Sequence, residues 1–594
     1  MVRNILAKPH ETARTAVTIL TFVLVLLAVA FCWSRDDVDP DLWGHVRFGR
    51  DHAAAGLPVH TTYSYTAADQ PWINHELAAE WLFAAIDAAT GSFGLLALKL
   101  VLGIAVVGFW LARHRRDGVR EVISFGTTLL CAWGLAHYWS VRPQIFSYFC
   151  FALVLVLLGH AFQRWEGRLR WRWPRPPADS FNVSVSPYPY QSGPMRVLWS
   201  APLLFAVWSH LHGGFLAGIA VYVLYLLGRS VEAWWLRGPY AYGHIRRFLL
   251  MALAASFATA VQPYGLKLHW WLWQSLSVPR PEITEWHPPE FLSTHGAALS
   301  AALLLFVLAA LLSRRPRDLV QWTLLTILAC QALAHARHTP FFLIAFAFWM
   351  PPHLQSCWRQ LASRFPAKPR TEVHSWGSAA VLAVGCLVLA TALWPKLGPI
   401  RVDRQHYPVS AVEYLAARGW SGRIVVTYNW AQYVVAALGA KDASSPGLQV
   451  SFDGRFRTAY RQEQVDAHFD FILGQVTGLR YRASDSPPYD PTRTLKQGYP
   501  DLVLISRGQP HSVRVMESQS EFVLLYQDEV AQLWGRKNRF DDPASPDYVA
   551  PRDRSVSNSP QWGAVAWPAV PHVASPQSTA RLPSSGYFPR RTAL

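Results

Sequence analysis

The chain has 594 residues and a mass of 66.8 kDa, and 51% of its residues are apolar while only 16% are charged. A typical soluble domain carries about 25% charged residues, so this composition excludes an ordinary soluble enzyme, a disordered chain and a fibrous protein. The mean hydropathy is only +0.12, which means that a more polar part dilutes a strongly apolar one. We therefore expect a polytopic α-helical membrane protein with a soluble appendage.

The net charge of +17 comes mainly from arginines, and these are concentrated in short loops between apolar runs. A basic protein is often a nucleic-acid binder, but this distribution is the one that the positive-inside rule produces in membrane proteins. The charge pattern therefore predicts contact with a lipid bilayer and no nucleic-acid partner.

The first apolar run, residues 15–33, is long enough to cross about 30 Å of hydrocarbon. No small-residue cleavage site follows it, so we interpret it as an uncleaved span and not as a signal peptide. Ten further apolar runs follow, at residues 92–112, 121–140, 144–162, 195–211, 213–228, 248–265, 296–312, 319–335, 340–352 and 377–395. Arginine-rich loops alternate with neutral or acidic loops along them, which predicts about 11 spans in the inner (plasma) membrane, with the N-terminus inside and the C-terminus outside.

The polar part of the chain follows the last apolar run. In residues 398–540, short β-type runs such as GRIVVTY and DLVLISR alternate with helical stretches, which predicts an extracytoplasmic (periplasmic) α/β domain. Residues 541–594 lack periodicity and are rich in Pro, Ser and Asp, so we expect a disordered tail. The predicted division is a membrane domain at 1–397, with an acidic first external loop at 34–91, then the exported domain at 398–540 and the tail.

An acidic pair, Asp39 and Asp41, lies in the first external loop. Pro40 favours extended geometry at the residue before it, and residues two apart on an extended strand point the same way. The two carboxylates could therefore share a divalent cation such as Mg²⁺ or Mn²⁺, or one could serve as a general base. The alternative is a solvated acidic loop that helps to set the topology.

Later in the same loop, Glu76, Glu80 and Asp87 share one face of a predicted helix, with the apolar residues mostly on the other face. This pattern is typical of an amphipathic helix lying on the outer membrane surface. The acidic face either has a structural role or forms one wall of a cavity that faces the aspartates.

Two arginines stand at predicted outer turns, where the positive-inside rule requires no positive charge: Arg142 and Arg337. Because a guanidinium matches the geometry of phosphate oxygens, each is a candidate to bind a lipid-linked phosphate; pairing with loop carboxylates or reaching to lipid headgroups is the alternative. His212 in WSHLHGG and Glu285 in PEITEWHPPEF are two more candidate binding residues, and ordinary turn and loop roles are their alternatives.

Three segments of the first external loop, DPDLWGHVRFG, GLPVHTTYSYT and PWINHEL, resemble that of the GT-C superfamily of membrane glycosyltransferases. The resemblance is nearest to oligosaccharyltransferase catalytic subunits and protein O-mannosyltransferase-like enzymes, in which Asp39 and Asp41 would be the acidic pair. In the exported domain, YNWAQY is loosely similar to the WWDYG acceptor-site motif of oligosaccharyltransferases, although it lacks the tandem tryptophan and the aspartate. We add His45 and Trp430, from these segments, to the candidate substrate-binding residues.

The resemblance implies transfer of a sugar from a polyprenyl-phosphate-linked donor to an extracytoplasmic glycan, lipid or protein. Asp41, with Asp39 beside it, would deprotonate the acceptor hydroxyl or hold a metal, and an arginine or metal would stabilise the departing phosphate. A transporter or flippase is one alternative, although it would need ionisable groups within the spans, where Lys99 is the residue that stands out. A non-catalytic membrane assembly protein with a GT-C-like fold is the other.

Overall fold

The computed structural model describes residues 9–57, 60–68, 70–163, 165, 170–171, 192–364, 376–440, 447–476 and 478–571. Up to residue 397 the described chain is almost entirely helical. Its helices are α1 (Pro9–Trp33), α2 (Leu42–Ala55), α3 (Leu77–Arg116), α4 (Glu121–Leu135), α5 (Gln144–Ala161), α6 (Ser192–Met195), α7 (Ala201–Leu211), α8 (Phe215–Arg237), α9 (Tyr242–Ala258), α10 (Leu266–Leu276), α11 (Thr294–Leu312), α12 (Leu319–Ala334), α13 (Thr339–Trp349), α14 (Pro351–Ala362) and α15 (Trp376–Leu393). Two short strands, β1 (Arg170–Trp171) and β2 (Arg317–Asp318), pair in this part.

Five helical segments are long and apolar enough to cross a membrane: Thr12–Trp33, Leu77–Arg116, Gln144–Ala161, Phe215–Ala258 and Trp376–Leu397. Three shorter apolar helices accompany them, at Glu121–Leu135, Gly296–Leu312 and Leu319–Ala334. Each of the eleven predicted runs coincides with a helical segment. The chain is thus a helical membrane protein, while the number of crossings and their orientation stay predictions.

The predicted surface helix is the first part of α3, which is interrupted at Gly91 by a backbone with φ 62° and ψ −154°. Such a positive φ is open mainly to glycine, so this residue separates residues 77–90 from the apolar part that follows. Glu80 is buried against the protein, whereas Trp81 and Leu82 are exposed. The acidic face therefore packs on the protein and the apolar face is left for the membrane surface.

The C-terminal part is an α/β unit around a six-stranded sheet of order β5-β4-β6-β8-β7-β9. Strands β4, β5 and β6 are parallel, and β8 is antiparallel to both β6 and β7. The strands are β3 (Arg401–Asp403), β4 (Gly422–Val426), β5 (Leu448–Val450), β6 (Leu502–Ser506), β7 (Phe522–Gln527), β8 (Ala531–Arg536), β9 (Ser555–Val556) and β10 (Ala564–Ala566). The helices are α16 (Val409–Arg418), α17 (Ala431–Leu438), α18 (Gln462–Ile472), α19 (Arg493–Lys496), α20 (Pro510–Glu517) and α21 (Lys537–Phe540).

The predicted disorder from residue 541 is wrong for residues 541–571. Strand β9 pairs with β7 and β10 pairs with β3, and Val549 and Trp567 are buried in the apolar core that the α/β unit shares with the first external loop. The indole of Trp567 also donates to Asp87 of α3 at 2.8 Å. Residues 541–571 thus form an extended strap, which is held by single aromatic contacts and short strands and therefore shows no periodicity in sequence. The rest of the predicted tail, residues 572–594, lies outside the described residues.

Arg455 fastens the α/β unit to the first external loop. Its guanidinium is buried, pairs with Asp453 at 2.6 Å and donates to the Thr61 hydroxyl of the loop at 2.5 Å. It also lies over the loop rings of Phe48 and Trp72, at 5.1 and 4.7 Å from their centres. Backbone hydrogen bonds between loop residues 63–65 and Val450 extend the sheet at β5, so the two parts form one surface.

We predict that Arg455→Met lowers the thermal unfolding midpoint of the detergent-purified protein, because it leaves the buried Asp453 carboxylate without its counter-charge. Breaking a buried ion pair costs about 3–5 kcal/mol. Lys496→Met is the matched control, since its ammonium is 71% exposed and exposed pairs contribute about 0–1 kcal/mol. Tryptophan fluorescence during heating measures the unfolding midpoints. Equal midpoints for the two variants would contradict the role of Arg455.

Candidate active site

The acidic pair lies at the start of α2, in a turn and not in the extended strand that we expected from Pro40. Asp41 has helical dihedral angles (φ −83°, ψ −14°) and occupies the N-cap position of α2. Its backbone N–H donates to Asp39 Oδ1 at 3.0 Å. The turn still directs both carboxylates to one partner, the guanidinium of Arg142.

Arg142, in the turn before α5, contacts three carboxylates. Its nitrogens lie 3.5 Å from Asp39 Oδ1, 2.9 Å from Asp41 Oδ2 and 2.7 Å from Glu285 Oε1. Glu285 belongs to the single turn of 3₁₀-helix at Thr284–Trp286. Three separate loops therefore meet at one guanidinium, and the alternative that Arg142 pairs with loop carboxylates is the arrangement that the structure adopts.

This environment sets the protonation of the site. Enclosure away from water raises the pKa of Asp41 to about 6, with Arg142 acting in the opposite direction and the charge of Asp39 adding to the rise. The guanidinium of Arg142 is the main cause of a lowered pKa at Glu285. Asp41 thus holds its proton more strongly than an ordinary aspartate does.

Two cavities, of about 300 and 190 Å³, lie on either side of this cluster. Asp41 lines the larger cavity and Asp39 lines the smaller one. The residues common to both walls are Arg142, Gln144, Tyr148, Glu285 and Arg337. The ion cluster therefore forms a partition between two spaces on the same face of the helical domain.

A group of histidines and glutamates forms one end of the larger cavity. His45 Nδ1 lies 3.4 Å from Glu80 and 4.0 Å from Glu76, and Glu76 also lies 3.7 Å from His212 and 3.8 Å from His75. Burial disfavours a charged His45, but its hydrogen bond to Glu80 and the neighbouring carboxylates together raise its pKa to about 9. Burial lowers the pKa of His212 to about 3. At neutral pH, His45 therefore carries a positive charge and His212 is neutral.

The residues that fit a metal ion differ from the predicted pair. Asp39 and Asp41 both face the positive charge of Arg142, so Mg²⁺ or Mn²⁺ bound between them would be repelled by the guanidinium. Ligand atoms of His45, Glu76 and Glu80 lie within 4.8 Å of one another, and a mixed imidazole and carboxylate set suits zinc and similar transition metals. Once His45 has released its proton, this donor set fits a divalent ion better than the aspartate pair does.

The opposite end of the larger cavity is cationic. The guanidinium groups of Arg280 and Arg337 both lie over the ring of Trp286, at 4.9 and 4.7 Å from its centre. Arg457, from the α/β unit, lines the same cavity. Burial, with the charges of Arg337 and Arg457, lowers the pKa of Arg280 to about 10. Among the described residues, none of the three forms an ion pair with a carboxylate at contact distance. Glu282 lies near enough to act on the charges of Arg280 and Arg457, and Glu285 on that of Arg337, so positive charge exceeds negative charge at this end.

Most of the sequence-predicted residues meet at these cavities, but Trp430 does not. Its indole donates to the His406 carbonyl at 2.8 Å inside the α/β unit, while its neighbours Tyr428 and Gln432 line the larger cavity. Sequence analysis missed Arg280, although the charge rule that selected Arg337 applies equally to this outer-loop residue. Arg457 carried no such signal, because nothing in the sequence shows which loop of the exported domain faces the membrane domain.

We predict that Arg142→Gln lowers the unfolding midpoint by about 2–4 °C at pH 8, because three carboxylates then lie together without a counter-charge. The stabilisation from Glu285, whose pKa is lowered in the folded protein, is lost only as pH falls through that lowered value, so in the wild type it is nearly constant between pH 8 and pH 5. In the variant, protonation instead relieves the repulsion. The gap between wild type and variant should therefore narrow from pH 8 to pH 5.

Arg401→Gln serves as the control, since its side chain is 61% exposed and lies 3.5 Å from Asp36. It should shift the midpoint little at any pH. A gap for Arg142→Gln that stays constant across this range would show that the guanidinium acts through packing and not through charge.

Comparison with known proteins finds structural neighbours alone. No protein-family model matches the chain, and no curated protein matches its sequence. Oligosaccharyltransferase AglB from Archaeoglobus fulgidus, in complex with an inhibitory peptide and a dolichol-phosphate, is 11% identical with a TM-score of 0.46, over 82% of this chain and 69% of that one. ArnT from Cupriavidus metallidurans, bound to undecaprenyl phosphate, is 12% identical with a TM-score of 0.46, over 87% and 97% of the two chains.

Arabinofuranosyltransferase AftD from mycobacteria is 13% identical with a TM-score of 0.37, over 89% of this chain and 40% of that one. These three enzymes are GT-C glycosyltransferases, the superfamily that the first external loop of this chain resembles. TM-scores below 0.5 at such identities decide nothing about the reaction, which has to be inferred from the residues of this chain.

Proposed function

We propose that the chain is a membrane glycosyltransferase that moves a sugar from a polyprenyl-phosphate-linked donor to an acceptor hydroxyl outside the cytoplasm. The observation that supports this most is a single cavity lined by two chemically different groups. Asp41, a carboxyl group with a pKa of about 6, lies in its wall beside Arg142, and Arg280, Arg337 and Arg457 form its cationic end. A base and a phosphate-binding group at a membrane surface are what transfer from a lipid phosphate requires.

Asp41 is the proposed general base. With a pKa of about 6 it is mostly ionised at neutral pH and accepts a proton readily. The acceptor oxygen bonds to the anomeric carbon as its proton passes to Asp41, and the bond from that carbon to the donor phosphate oxygen breaks with its electron pair leaving on the phosphate. Asp39, on the other side of the partition, helps to orient Arg142 and through it Asp41.

The departing phosphate is proposed to bind at the cationic end. Arg142 is already engaged by three carboxylates, so the phosphate role that we considered for it passes to Arg280, Arg337 and Arg457. Stacking over Trp286 fixes two of these guanidinium groups, which reduces the entropy that they lose when the phosphate binds. A metal ion held by His45, Glu76 and Glu80 would supply additional positive charge to the same cavity.

The orientation that we propose has the N-terminus in the cytoplasm, with the two cavities and the α/β unit on the outer side. The alternating loop arginines support it, and reporter fusions placed before α1 and after the α/β unit would test it. The mid-span Lys99, the residue that favoured a transporter, donates to the Arg35 carbonyl at 2.6 Å, which gives it a structural role.

Asp41→Asn is expected to lower transfer by about 10²–10⁴-fold without loss of folding, since the amide keeps the size of the side chain but cannot accept the proton. The assay measures transfer of labelled sugar from a panel of polyprenyl-phosphate sugars in membranes, with expression level and unfolding midpoint as controls. Wild-type activity should fall about tenfold per pH unit below pH 6, because Asp41 is then protonated.

Asp485→Asn, an exposed carboxylate of the α/β unit, is the matched control and should retain wild-type transfer. Full activity of Asp41→Asn would exclude this residue as the base. A wild-type protein that transfers from no donor in the panel would favour the non-catalytic assembly protein.

Arg457→Gln is expected to lower kcat/KM for the donor by roughly 10–100-fold, since a hydrogen bond to a charged group contributes about 1.5–3 kcal/mol. Arg461→Gln, an exposed arginine just before α18, is the matched control and should leave kcat/KM unchanged. Equal values for the two variants would show that the α/β unit supplies no phosphate-binding charge.

A further inference from the structure

A second cationic site lies at the other end of the helical domain, away from the partition. Arg314 and Arg315 follow α11, and Arg359 lies on α14; together with Ser356 and Ser363 they line a pocket of about 400 Å³. All three arginines are exposed. In the charge pattern of the sequence, this is the side predicted to face the cytoplasm.

This pocket contains no counter-charge of its own. Among the described residues, no carboxylate forms an ion pair with Arg314, Arg315 or Arg359. The nearby Asp318 is buried, and its carboxylate is engaged by Arg229 at 2.6 Å. As far as the described part of the chain goes, the three positive charges are therefore available to an anion that comes from outside.

An apolar groove of about 360 Å³ begins where the basic pocket ends. It runs between α4, α11 and α14, and its walls include Val122, Leu312 and Leu361. These side chains are 76%, 48% and 52% exposed, respectively. Gln360 lines both the pocket and the groove, and its amide donates to the Leu312 carbonyl, so the two spaces adjoin at this residue.

The helix between them, α14, has two dissimilar faces. Pro351, Pro352, His353 and Gln355 face the protein, whereas Trp358 and Leu361 are exposed on the groove side beside Arg359. Exposed tryptophan and arginine at neighbouring positions are typical of the boundary between headgroups and acyl chains. The basic pocket thus lies at headgroup level and the groove at acyl-chain level.

We propose that this surface binds one diacyl anionic phospholipid, with its headgroup phosphate on Arg314, Arg315 and Arg359 and one acyl chain in the groove. Basic pockets between membrane helices bind anionic headgroups in this way. Charge complementarity favours an anionic lipid over a zwitterionic one, and a free phosphate would leave the apolar groove unfilled. The site is independent of the proposed glycosyl transfer.

Gly126 of α4 offers a direct way to block the groove. It lines the groove, and a Cβ added at this position would meet no atom within 4 Å. Gly126→Leu should therefore fill the acyl-chain space without disturbing the packing of α4. Gly108 of α3 also has open space around its Cα and lies outside the groove, so Gly108→Leu is the matched control.

The test uses the full chain in phosphatidylcholine nanodiscs that contain a small fraction of phosphatidylglycerol with a photoreactive acyl chain. Crosslinks should map to α4, α11 and α14. The triple variant Arg314→Gln/Arg315→Gln/Arg359→Gln should lower this labelling at least tenfold, and Gly126→Leu should lower it to a similar extent. The controls Arg246→Gln/Arg247→Gln, two exposed arginines of α9, and Gly108→Leu should not.

Three results would overturn the proposal. Equal labelling by photoreactive phosphatidylcholine would show a site without charge preference. If millimolar inorganic phosphate lowered the labelling, and Gly126→Leu were labelled as strongly as the wild type, the site would bind phosphate and not a lipid. Stronger competition by undecaprenyl phosphate than by unlabelled phosphatidylglycerol would assign the site to a polyprenyl lipid. If the triple variant has a lowered unfolding midpoint, its labelling is not informative. The labelling of Gly126→Leu, compared with that of Gly108→Leu, then decides whether the lipid binds in the groove.

Discussion

The face of the helical domain that contains the two cavities depends on the charge of one guanidinium. Arg142 joins the turn before α2, the turn before α5 and the Thr284–Trp286 turn through carboxylates from each. At separations of about 4 Å, like charges in a partly enclosed site repel by several kcal/mol, so Asp39, Asp41 and Glu285 can lie together only around a cation. The same contact divides the space above the helices into two cavities, and it partly offsets the burial that raises the pKa of Asp41 to about 6.

The larger cavity is composite, and this explains the tight attachment of the α/β unit. Its cationic end needs Arg457, which the unit supplies, alongside Arg280 and Arg337 from the helical domain. Movement of the unit would separate these charges from Asp41. The burial of Arg455 among loop aromatics, the bond to Thr61 and the backbone pairing at β5 all resist such movement.

Sequence alone predicted the elements whose signals are periodic. Each predicted apolar run is helical, and the strands at GRIVVTY and DLVLISR are β4 and β6. The acidic pair, Arg142, Arg337, His45, Glu76, His212 and Glu285 all line the cavities. Sequence left open or missed the contacts between distant segments. Of the two roles considered for Arg142, the structure has the pairing with loop carboxylates. Trp430 faces the interior of the α/β unit, and the strap at 541–571 is ordered because separate segments give it partners. No local sequence pattern predicts which loop of the α/β unit contacts the helical domain.

The strap also determines when, during synthesis, the loop of residues 34–91 can complete its packing. Trp43 of α2 donates to the Pro568 carbonyl at 2.9 Å, across 525 residues of sequence, and Asp87 accepts from Trp567 across 480 residues. During synthesis from the N-terminus, α2 and the surface helix emerge long before the segment that completes their packing. Because contacts of such separation form late, the loop cannot complete its packing until Trp567 and Pro568 have been made. Its final shape is therefore a check on synthesis as far as residue 568, which a product truncated before that residue would not pass.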